Sequence, residues 1–364
     1  MHIAIVGTRG VPAKYGGFET FAEEISALLV ENGYDVSVEC DAGSYHSDNY
    51  NGVKLFFSTV KKSDNPLKYY SEGIRWGVKN SEVIVAASSA GSFFYFYNLF
   101  RRVPILTNPD GLEYQRGKWS FLKRIYLKVS EFIAVRLSDY IIADSEEIKK
   151  HLCRSYRFIE KKTRVIEYGT SLNLKSDEVV LKKYNLGHNK YYLVVCRLEP
   201  ENNLNIIIEG FLQSATEFPL VIIGNLIENK YVRDLTEKKY SGRVRFLGGI
   251  YNKTELNAIR YSCRAYVHGH SVGGTNPSLL EAMGSGNIIL AHDNVFNREV
   301  TASSQFYFAD TEQFAERIKT IESLGSADVG KYKALNISII KNKYNWNNIL
   351  SKYLVLLEEL KISR

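Results

Sequence analysis

Residues 3–33 have the sequence IAIVGTRGVPAKYGGFETFAEEISALLVENG, and this stretch decides the fold. The apolar run at 3–6 is typical of a strand that is buried on both faces of a parallel sheet. A glycine-rich loop follows it. Apolar residues then recur at helical spacing at Phe18, Phe21, Ala22, Ile25, Leu28 and Leu29, and Gly33 stands where a helix would end. The order strand, loop, helix predicts the first unit of a parallel α/β sheet.

The same alternation of strand-like runs and helical segments continues through most of the chain. Further strands are predicted at 36–38, 83–86, 105–106, 140–143, 191–195, 219–223, 244–247, 265–268 and 287–291. A polar, charge-rich stretch around 173–190 separates the two series of strands. We therefore expect two parallel-sheet α/β domains, at 1–178 and 179–340, and a C-terminal helix at about 341–364 that packs back on the first domain.

Size and composition agree with two folded domains. The chain has 364 residues, more than the roughly 250–300 that one core usually serves, and 45% of them are hydrophobic. No apolar run approaches the roughly 20 residues of a membrane helix, and the N-terminus begins on a strand-like segment without a signal peptide. The cysteines are scattered, as expected of reduced thiols, at Cys40, Cys153, Cys196 and Cys263. We expect a cytoplasmic protein.

The region at 93–136 combines basic and aromatic residues. Its part at 101–136 carries eight Lys and Arg residues against three acidic ones, a local charge of +5, while the whole chain carries +7. Such a pattern fits an anionic membrane surface or nucleic acid. It fits equally a solvated helix face over core aromatic residues. We expect peripheral contact with an anionic membrane and do not expect a nucleic-acid partner.

The glycines of the first loop end in the pair Gly16-Gly17, just before the predicted helix. Their spacing matches neither the dinucleotide fingerprint nor a Walker loop. Glycines at a helix N-terminus let the backbone approach an anion, and Arg9 and Lys14 add positive charge to the same loop. The alternative is a plain turn before a helix.

A second glycine turn, Gly273-Gly274-Thr275-Asn276-Pro277, follows the strand predicted at 265–268. Pro277 suits the first position of a helix, which makes Asn276 the N-cap. Glu281 lies one turn into that helix, where its carboxylate can accept hydrogen bonds from sugar hydroxyls. Two parallel-sheet domains that each carry an anion-accepting turn predict an interdomain cleft that holds a nucleotide diphosphate-sugar.

Three segments sharpen this prediction, at 14–20, 108–113 and 268–278. Together with the turns they resemble the retaining family 4 glycosyltransferases of the GT-B fold, which have two facing Rossmann-like domains. The resemblance covers essentially the whole chain, and it makes the first domain the acceptor side and the second the nucleotide-sugar side. Within the family, the segments are similar to the bacterial polysaccharide β-1,4-rhamnosyltransferases, which use dTDP-L-rhamnose.

The chain departs from the family pattern at two positions. Arg197 matches the first member of the family's phosphate-binding Arg and Lys pair, but Asn202 stands at the lysine position. Glu281 matches the glutamate that contacts the ribose, but Gly273 stands where a glutamate contacts the donor sugar. Lys230 or Arg245 are candidates to replace the missing cation; both fit surface positions equally well.

The resemblance implies a mechanism in which the enzyme holds both substrates and stabilises the charge on the departing diphosphate. Arg197 is the main catalytic candidate, and the alternative for its side chain is a salt bridge to Glu199 or Glu201. Asp110 and Glu113 are candidates to orient the acceptor or act as base, although Asp before Gly is also ordinary in a turn. The expected donor-binding residues are Gly16, Gly17, Arg197, Asn202, Gly273, Gly274, Thr275, Asn276, Ser278 and Glu281.

No Asp-x-Asp pair occurs in the sequence, so neither a metal nor another cofactor is expected. The expected acceptor is a saccharide, most simply one linked to a lipid diphosphate at the inner membrane face. A UDP-sugar transferase or an epimerase of the same fold remains open as an alternative. So does a non-catalytic protein that binds nucleotide-sugars, which the residues at 202 and 273 would suit.

Overall fold

The computed structural model describes residues 1–14, 16–109, 111–115, 119–227, 229–238, 240 and 242–362. The chain divides into two compact units. The first comprises the described residues of Met1–Gln115, Trp119–Gly169 and 346–362, and the second comprises Thr170–Asn345 with the same gaps. The chain thus passes from the first unit to the second after Gly169 and returns at Trp346.

Each unit is built on one sheet. The strands in chain order are β1 His2–Val6, β2 Asp35–Cys40, β3 Asn49–Tyr50, β4 Val53–Phe57, β5 Val83–Ala87, β6 Ile105–Asn108, β7 Tyr140–Ala143, β8 Thr163–Val165, β9 Tyr192–Val195, β10 Leu220–Ile223, β11 Val244–Gly248, β12 Ala265–His268, β13 Ile289–His292 and β14 Phe306–Phe308. The first sheet has the order β3-β4-β2-β1-β5-β6-β7-β8, and the second has the order β11-β10-β9-β12-β13-β14.

Helices connect the strands. They are α1 Gly17–Glu31, α2 Pro66–Asn80, α3 Phe121–Leu137, α4 Glu146–Ser155, α5 Glu178–Lys183, α6 Leu204–Gln213, α7 Lys230–Thr236, α8 Lys253–Ser262, α9 Pro277–Gly284, α10 Val295–Val300, α11 Thr311–Glu322, α12 Ser326–Ile339 and α13 Trp346–Ile362. Short 3-10 segments lie at Ser89–Asn98, Glu113–Gln115, Arg157–Lys162 and Pro200–Asn202, and a π-helical turn at Ile340–Tyr344. Helix α13 packs on α1 in the first unit, with the rings of Phe21 and Tyr353 5.7 Å apart.

The prediction of two parallel-sheet α/β domains is confirmed. The central strands are buried on both faces, as the continuous apolar runs indicate: Ile3, Ile5 and Leu193 are fully buried. All strand pairs described for the second sheet are parallel, whereas the first sheet is mixed because β3 pairs antiparallel with β4.

The hairpin of β3 and β4 was missed by the sequence analysis. Its turn is Asn51-Gly52, and both residues have positive φ, 51° and 81°. This is the strongest short-range signal for a two-residue hairpin turn. Along β4, Val53 and Leu55 are buried while Lys54 is exposed, the alternation of a strand with one buried face. A strand of this kind has no continuous apolar run.

A buried carboxyl group lies where β2 ends. Glu39 is 1% exposed, and its Oε2 accepts a hydrogen bond of 2.8 Å from the amide of Gly7. Helix α2 packs so closely here that a Cβ at Gly73 would lie 2.2 Å from the carboxylate. Burial raises the pKa of Glu39 to about 8. Glu39 is therefore protonated in the folded chain at pH values where it is ionised in the unfolded chain.

This pKa predicts a pH-dependent stability. Because the folded state retains the Glu39 proton and the unfolded state loses it above the ordinary pKa of 4.5, stability should fall as pH rises from there to about 8. The slope is at most about 1.4 kcal/mol per pH unit. In Glu39→Gln this contribution is absent. Urea unfolding of both proteins across this range measures it; parallel stability curves would contradict the assignment.

Candidate functional site

The second sheet reverses its strand order between β9 and β12. From β9 the order runs to β10 and β11, and from β12 it runs to β13 and β14. In open parallel sheets ligands bind at such a switch point, outside the carboxyl ends of the strands. The two loops that leave these ends begin at Cys196 and Gly269. They contain most of the predicted donor-binding residues.

The side chain of Asn202 ties these two loops together. It is buried, its Nδ2 donates to the carbonyl oxygen of Arg197 at 2.8 Å, and its Oδ1 lies 3.0 Å from Nδ1 of His270. Next to it, the amide and hydroxyl of Ser271 both donate to the carbonyl of Glu201 at 3.0 Å. A Cβ at Gly269 would lie 1.9 Å from the carbonyl oxygen of Asn202. The Asn202 side chain therefore holds the two loops of the site together. Its predicted contact with the nucleotide-sugar stays a prediction.

Arg197 follows β9, and its side chain is 46% exposed. Its Nε lies 3.8 Å from Oε2 of Glu199, so the alternative expected from the sequence, a salt bridge, is present in a loose form. Because the carbonyl of Arg197 is held by Asn202, the backbone position of this arginine is fixed while its guanidinium stays accessible. That combination suits a cation that meets an anionic ligand.

Helix α9 begins at the other loop. Asn276 is its N-cap, as predicted: the Asn276 Oδ1 accepts from the amide of Ser278 at 3.0 Å, and Pro277 is the first helical residue. Thr275 is 3% exposed, whereas Gly273 and Gly274 are partly exposed. The helix N-terminus and the preceding turn thus offer backbone donors at the switch point.

Gly273 has a φ of +104°, which side-chain-bearing residues rarely adopt. A Cβ there would meet its nearest atom, Nε2 of His270, only at 3.9 Å. The space is open, and it is the backbone conformation that requires glycine. The conformation of the turn therefore accounts for the glycine at this position, where the family pattern has a glutamate.

Glu281 lies in α9 and is bound by an arginine that the sequence analysis did not single out. Nη2 of Arg260, in α8, is 2.5 Å from Oε2 of Glu281, and the Arg260 side chain is only 4% exposed. The carbonyl of Arg260 in turn accepts from Nδ2 of Asn287 at 2.8 Å. This pair orients the Glu281 carboxylate and neutralises its charge.

His268 ends β12, and its ring lies 6.2 Å from that of His270. It is 3% exposed, and burial, assisted by the nearby His292, lowers its pKa to about 3. It is therefore neutral near pH 7 and contributes no positive charge. Arg245, a candidate for the missing cation, donates to the carbonyl oxygens of Asn185 and Tyr184 at 2.9 and 2.7 Å, and its compensating role stays a prediction. Lys230 is the exposed first residue of α7, and a compensating role for it stays a prediction.

The first sheet reverses its order between β1 and β5. The loop after β1 ends at Gly16, the N-cap of α1, and Gly17 begins the helix. Two of its amides are bound by carboxyl groups: Arg9 N donates to Glu19 at 2.9 Å, and Gly7 N donates to the neutral Glu39 at 2.8 Å. Glu19 is buried in the first turn of α1, which makes this turn less favourable for a phosphate. Donor contacts from Gly16 and Gly17 stay a prediction.

The acceptor-side candidates have different outcomes. Asp110 lies outside the described residues. Glu113 begins a 3-10 turn, and its Oε1 accepts from Nε1 of Trp119 at 3.0 Å.

Within the described residues, no group of three or more His, Cys, Asp or Glu side chains is arranged to hold a metal ion. The same residues form no helix that is long and apolar enough to span a bilayer.

Two family models match the chain. Residues 1–171 match a domain of unknown function, DUF1972, and residues 177–339 match the glycosyl transferases group 1. No curated protein matches the sequence.

Solved structures share the fold over the full length. Sucrose-phosphate synthase from Thermosynechococcus elongatus is 17% identical, with a TM-score of 0.82 over 100% of both chains. HepE of Anabaena, solved with UDP-glucose, is 16% identical, with a TM-score of 0.78 over 99% of this chain and 100% of HepE. A structure from E. coli with bound UDP-2-fluoro glucose is 11% identical, with a TM-score of 0.75 over 98% of this chain and 99% of that one. These likenesses show the GT-B fold.

The turn at Gly273 yields a stability prediction with a control of opposite sign. Gly273→Ala should destabilise the protein by about 1–3 kcal/mol, because alanine must adopt an unfavourable φ. Gly330→Ala, in the helix α12 with no atom within 4 Å of the new Cβ, should stabilise it by about 0.5–1 kcal/mol. Chemical denaturation measures both. Changes of the same sign would contradict the strain argument.

Proposed function

We propose that this chain, whose residues 177–339 form a group 1 glycosyltransferase domain, transfers a glycosyl group from a nucleotide-sugar to a saccharide acceptor. The observation that carries the proposal is the placement of Arg197 on one of the two loops at the β9 and β12 switch point, and of the N-terminus of α9 at the end of the other. An accessible cation and a row of backbone donors suit a diphosphate.

In the proposed reaction the acceptor hydroxyl attacks the face of the sugar that the diphosphate leaves, so the anomeric configuration is retained. The new glycosidic bond forms as the bond to the phosphate oxygen breaks, and that oxygen takes the acceptor proton. Arg197 and the turn at 274–276 stabilise the charge that develops on the leaving group. Glu281, oriented by Arg260, accepts from the ribose hydroxyls. Transfer needs no metal in this scheme.

The proposed donor is dTDP-L-rhamnose and the proposed acceptor a saccharide linked to a lipid diphosphate, in bacterial surface polysaccharide synthesis. The basis is the resemblance of segments 14–20, 108–113 and 268–278 to the β-1,4-rhamnosyltransferases. UDP-sugars are the alternative donors, and the UDP-glucose bound by HepE favours testing them. On the acceptor side, Glu113 and Asp110 are proposed to orient the attacking hydroxyl.

A donor screen tests this proposal. The protein is incubated with a lipid-linked acceptor and, separately, dTDP-rhamnose, UDP-glucose, UDP-galactose and UDP-GlcNAc, and release of the nucleotide diphosphate is followed. We expect release with dTDP-rhamnose, unchanged by a chelator, and a β-linked product by NMR, as retention of the donor's β configuration requires. Turnover with a UDP-sugar alone would move the assignment to the alternative. Nucleotide-sugar binding without turnover on any acceptor would favour a non-catalytic role.

Removing the guanidinium of Arg197 tests the phosphate site. Arg197→Ala should lower transfer at least about tenfold, because charge-assisted phosphate contacts contribute about 1.5–3 kcal/mol. The matched control is Arg233→Ala, an exposed arginine in α7 of the same unit, which should leave the rate unchanged. Affinity for the free nucleotide diphosphate should fall in parallel. Near-normal transfer by Arg197→Ala would remove this residue from the site.

A further inference from the structure

The solvent side of helix α3 is apolar. Leu122, Ile125, Val129 and Phe132 are 77%, 46%, 42% and 49% exposed, and their spacing of three and four residues places them in one stripe along the helix. Phe121, at the start of the helix, is 77% exposed. On a helix that packs against a soluble core, the outward side usually carries polar residues. The distribution on α3 is the reverse.

The inward side of α3 is already engaged. Ala134 and Leu127 are buried, the Tyr126 hydroxyl donates to the carbonyl of Ala90 at 2.6 Å, and the hydroxyl of Ser92 donates to the carbonyl of Ser130 at 2.6 Å. These contacts hold the helix on the 3-10 segment Ser89–Asn98. The outward stripe is therefore a second apolar surface, separate from the one that packs in the core.

Neighbouring aromatic residues widen this surface. The ring of Phe132 lies 6.1 Å from that of Tyr156, which lies 6.4 Å from that of Phe158, itself 53% exposed. We call the group of Phe121, Leu122, Ile125, Val129, Phe132 and Phe158 the α3 face.

Positive charge borders the α3 face. Helix α3 has Lys123, Arg124, Lys128 and Arg136 against one acidic residue, Glu131. Glu131 is buried and accepts from Nζ of Lys128 and from the hydroxyl of Tyr156, each at 2.8 Å. The guanidinium of Arg136 lies 5.8 Å from the ring centre of Phe158, at the edge of the face. The charges that reach solvent from this helix are therefore basic.

We propose that the α3 face docks on an anionic lipid bilayer, with α3 in the plane of the membrane. Phe121, Leu122 and Ile125 enter the acyl boundary, and Arg124 and Arg136 contact lipid phosphates. Nucleic acid would match the charge but would leave the apolar stripe in water, and a second copy would bring two basic borders together. Only an anionic lipid surface complements both features.

This inference deepens the proposed function, because it would bring the enzyme to a lipid-linked acceptor. Only that link to the acceptor rests on the proposed function. The docking itself does not require transfer, since it depends on apolar area and charge alone. A membrane-bound first unit would meet an acceptor whose lipid tail stays in the same bilayer.

Vesicle flotation tests the docking with the full chain. Vesicles of phosphatidylcholine with phosphatidylglycerol are compared with pure phosphatidylcholine, at low and high salt. One variant combines Leu122→Ser, Ile125→Ser and Phe132→Ser, and a second combines Arg124→Glu and Arg136→Glu. The matched control, Val179→Ser with Leu226→Ser and Ile227→Ser, changes side chains of the second unit that are 78%, 50% and 64% exposed. All substituted residues lie at the surface, and thermal unfolding checks that each variant is folded.

We expect the wild type and the control to float with the anionic vesicles, and both α3 variants to partition at least about tenfold less. High salt should release the wild type. A wild type that stays unbound at low salt, or an α3 triple variant that binds as well as the control, would overturn the proposal. The proposal would also be overturned if sedimentation showed the wild type and the control to be dimers and both α3 variants to be monomers. Flotation without any transferase activity would leave the docking in place while the proposed function fails.

Discussion

The hydrogen bonds of Asn202 are the constraint on which the second unit's site depends. One buried amide group holds the backbone of Arg197 on the loop after β9 and the imidazole of His270 on the loop after β12. It can do so because an amide has both a donor and an acceptor. A lysine at this position has only donors, and it would place a charge where the side chain is 6% exposed. At position 202 the chain therefore lacks the cation of the family pattern, and the asparagine found there holds the two loops together instead.

The second departure lies on one of the same two loops. His270, held by Asn202, is the nearest neighbour that a Cβ at Gly273 would have. The φ of +104° that the turn adopts there excludes a glutamate without rearrangement. Residues 202 and 273 therefore belong to one local structure, in which a lysine and a glutamate are both replaced. Loss of one positive and one negative group leaves the net charge of the loops unchanged, and the exposed Arg197 remains beside them.

Much of the fold could be predicted from the sequence because central parallel strands are continuous apolar runs. The run at 3–6 and the N-cap Asn276 are local signals, and the structure has them where they were expected. The pairing of Glu281 with Arg260 could not be predicted in the same way. These residues belong to different helices with a strand between them, so their contact is a property of the tertiary packing. The partners of Asn202 are equally non-local, since His270 is 68 residues away.

The acidic side chains near the two switch points have different partners, and this difference affects where a diphosphate can bind. In the first unit, the carboxyl groups of Glu39 and Glu19 accept from the amides of Gly7 and Arg9, so these two donors are already engaged. Glu19 lies in the first turn of α1 and already matches the dipole of that helix. In the second unit, the nearest carboxylate within the helix, Glu281, is neutralised by a buried arginine. The sequence predicts an anion-accepting turn in each unit, and in the folded chain the turn before α9 is the one whose nearby acidic side chain is neutralised by an arginine.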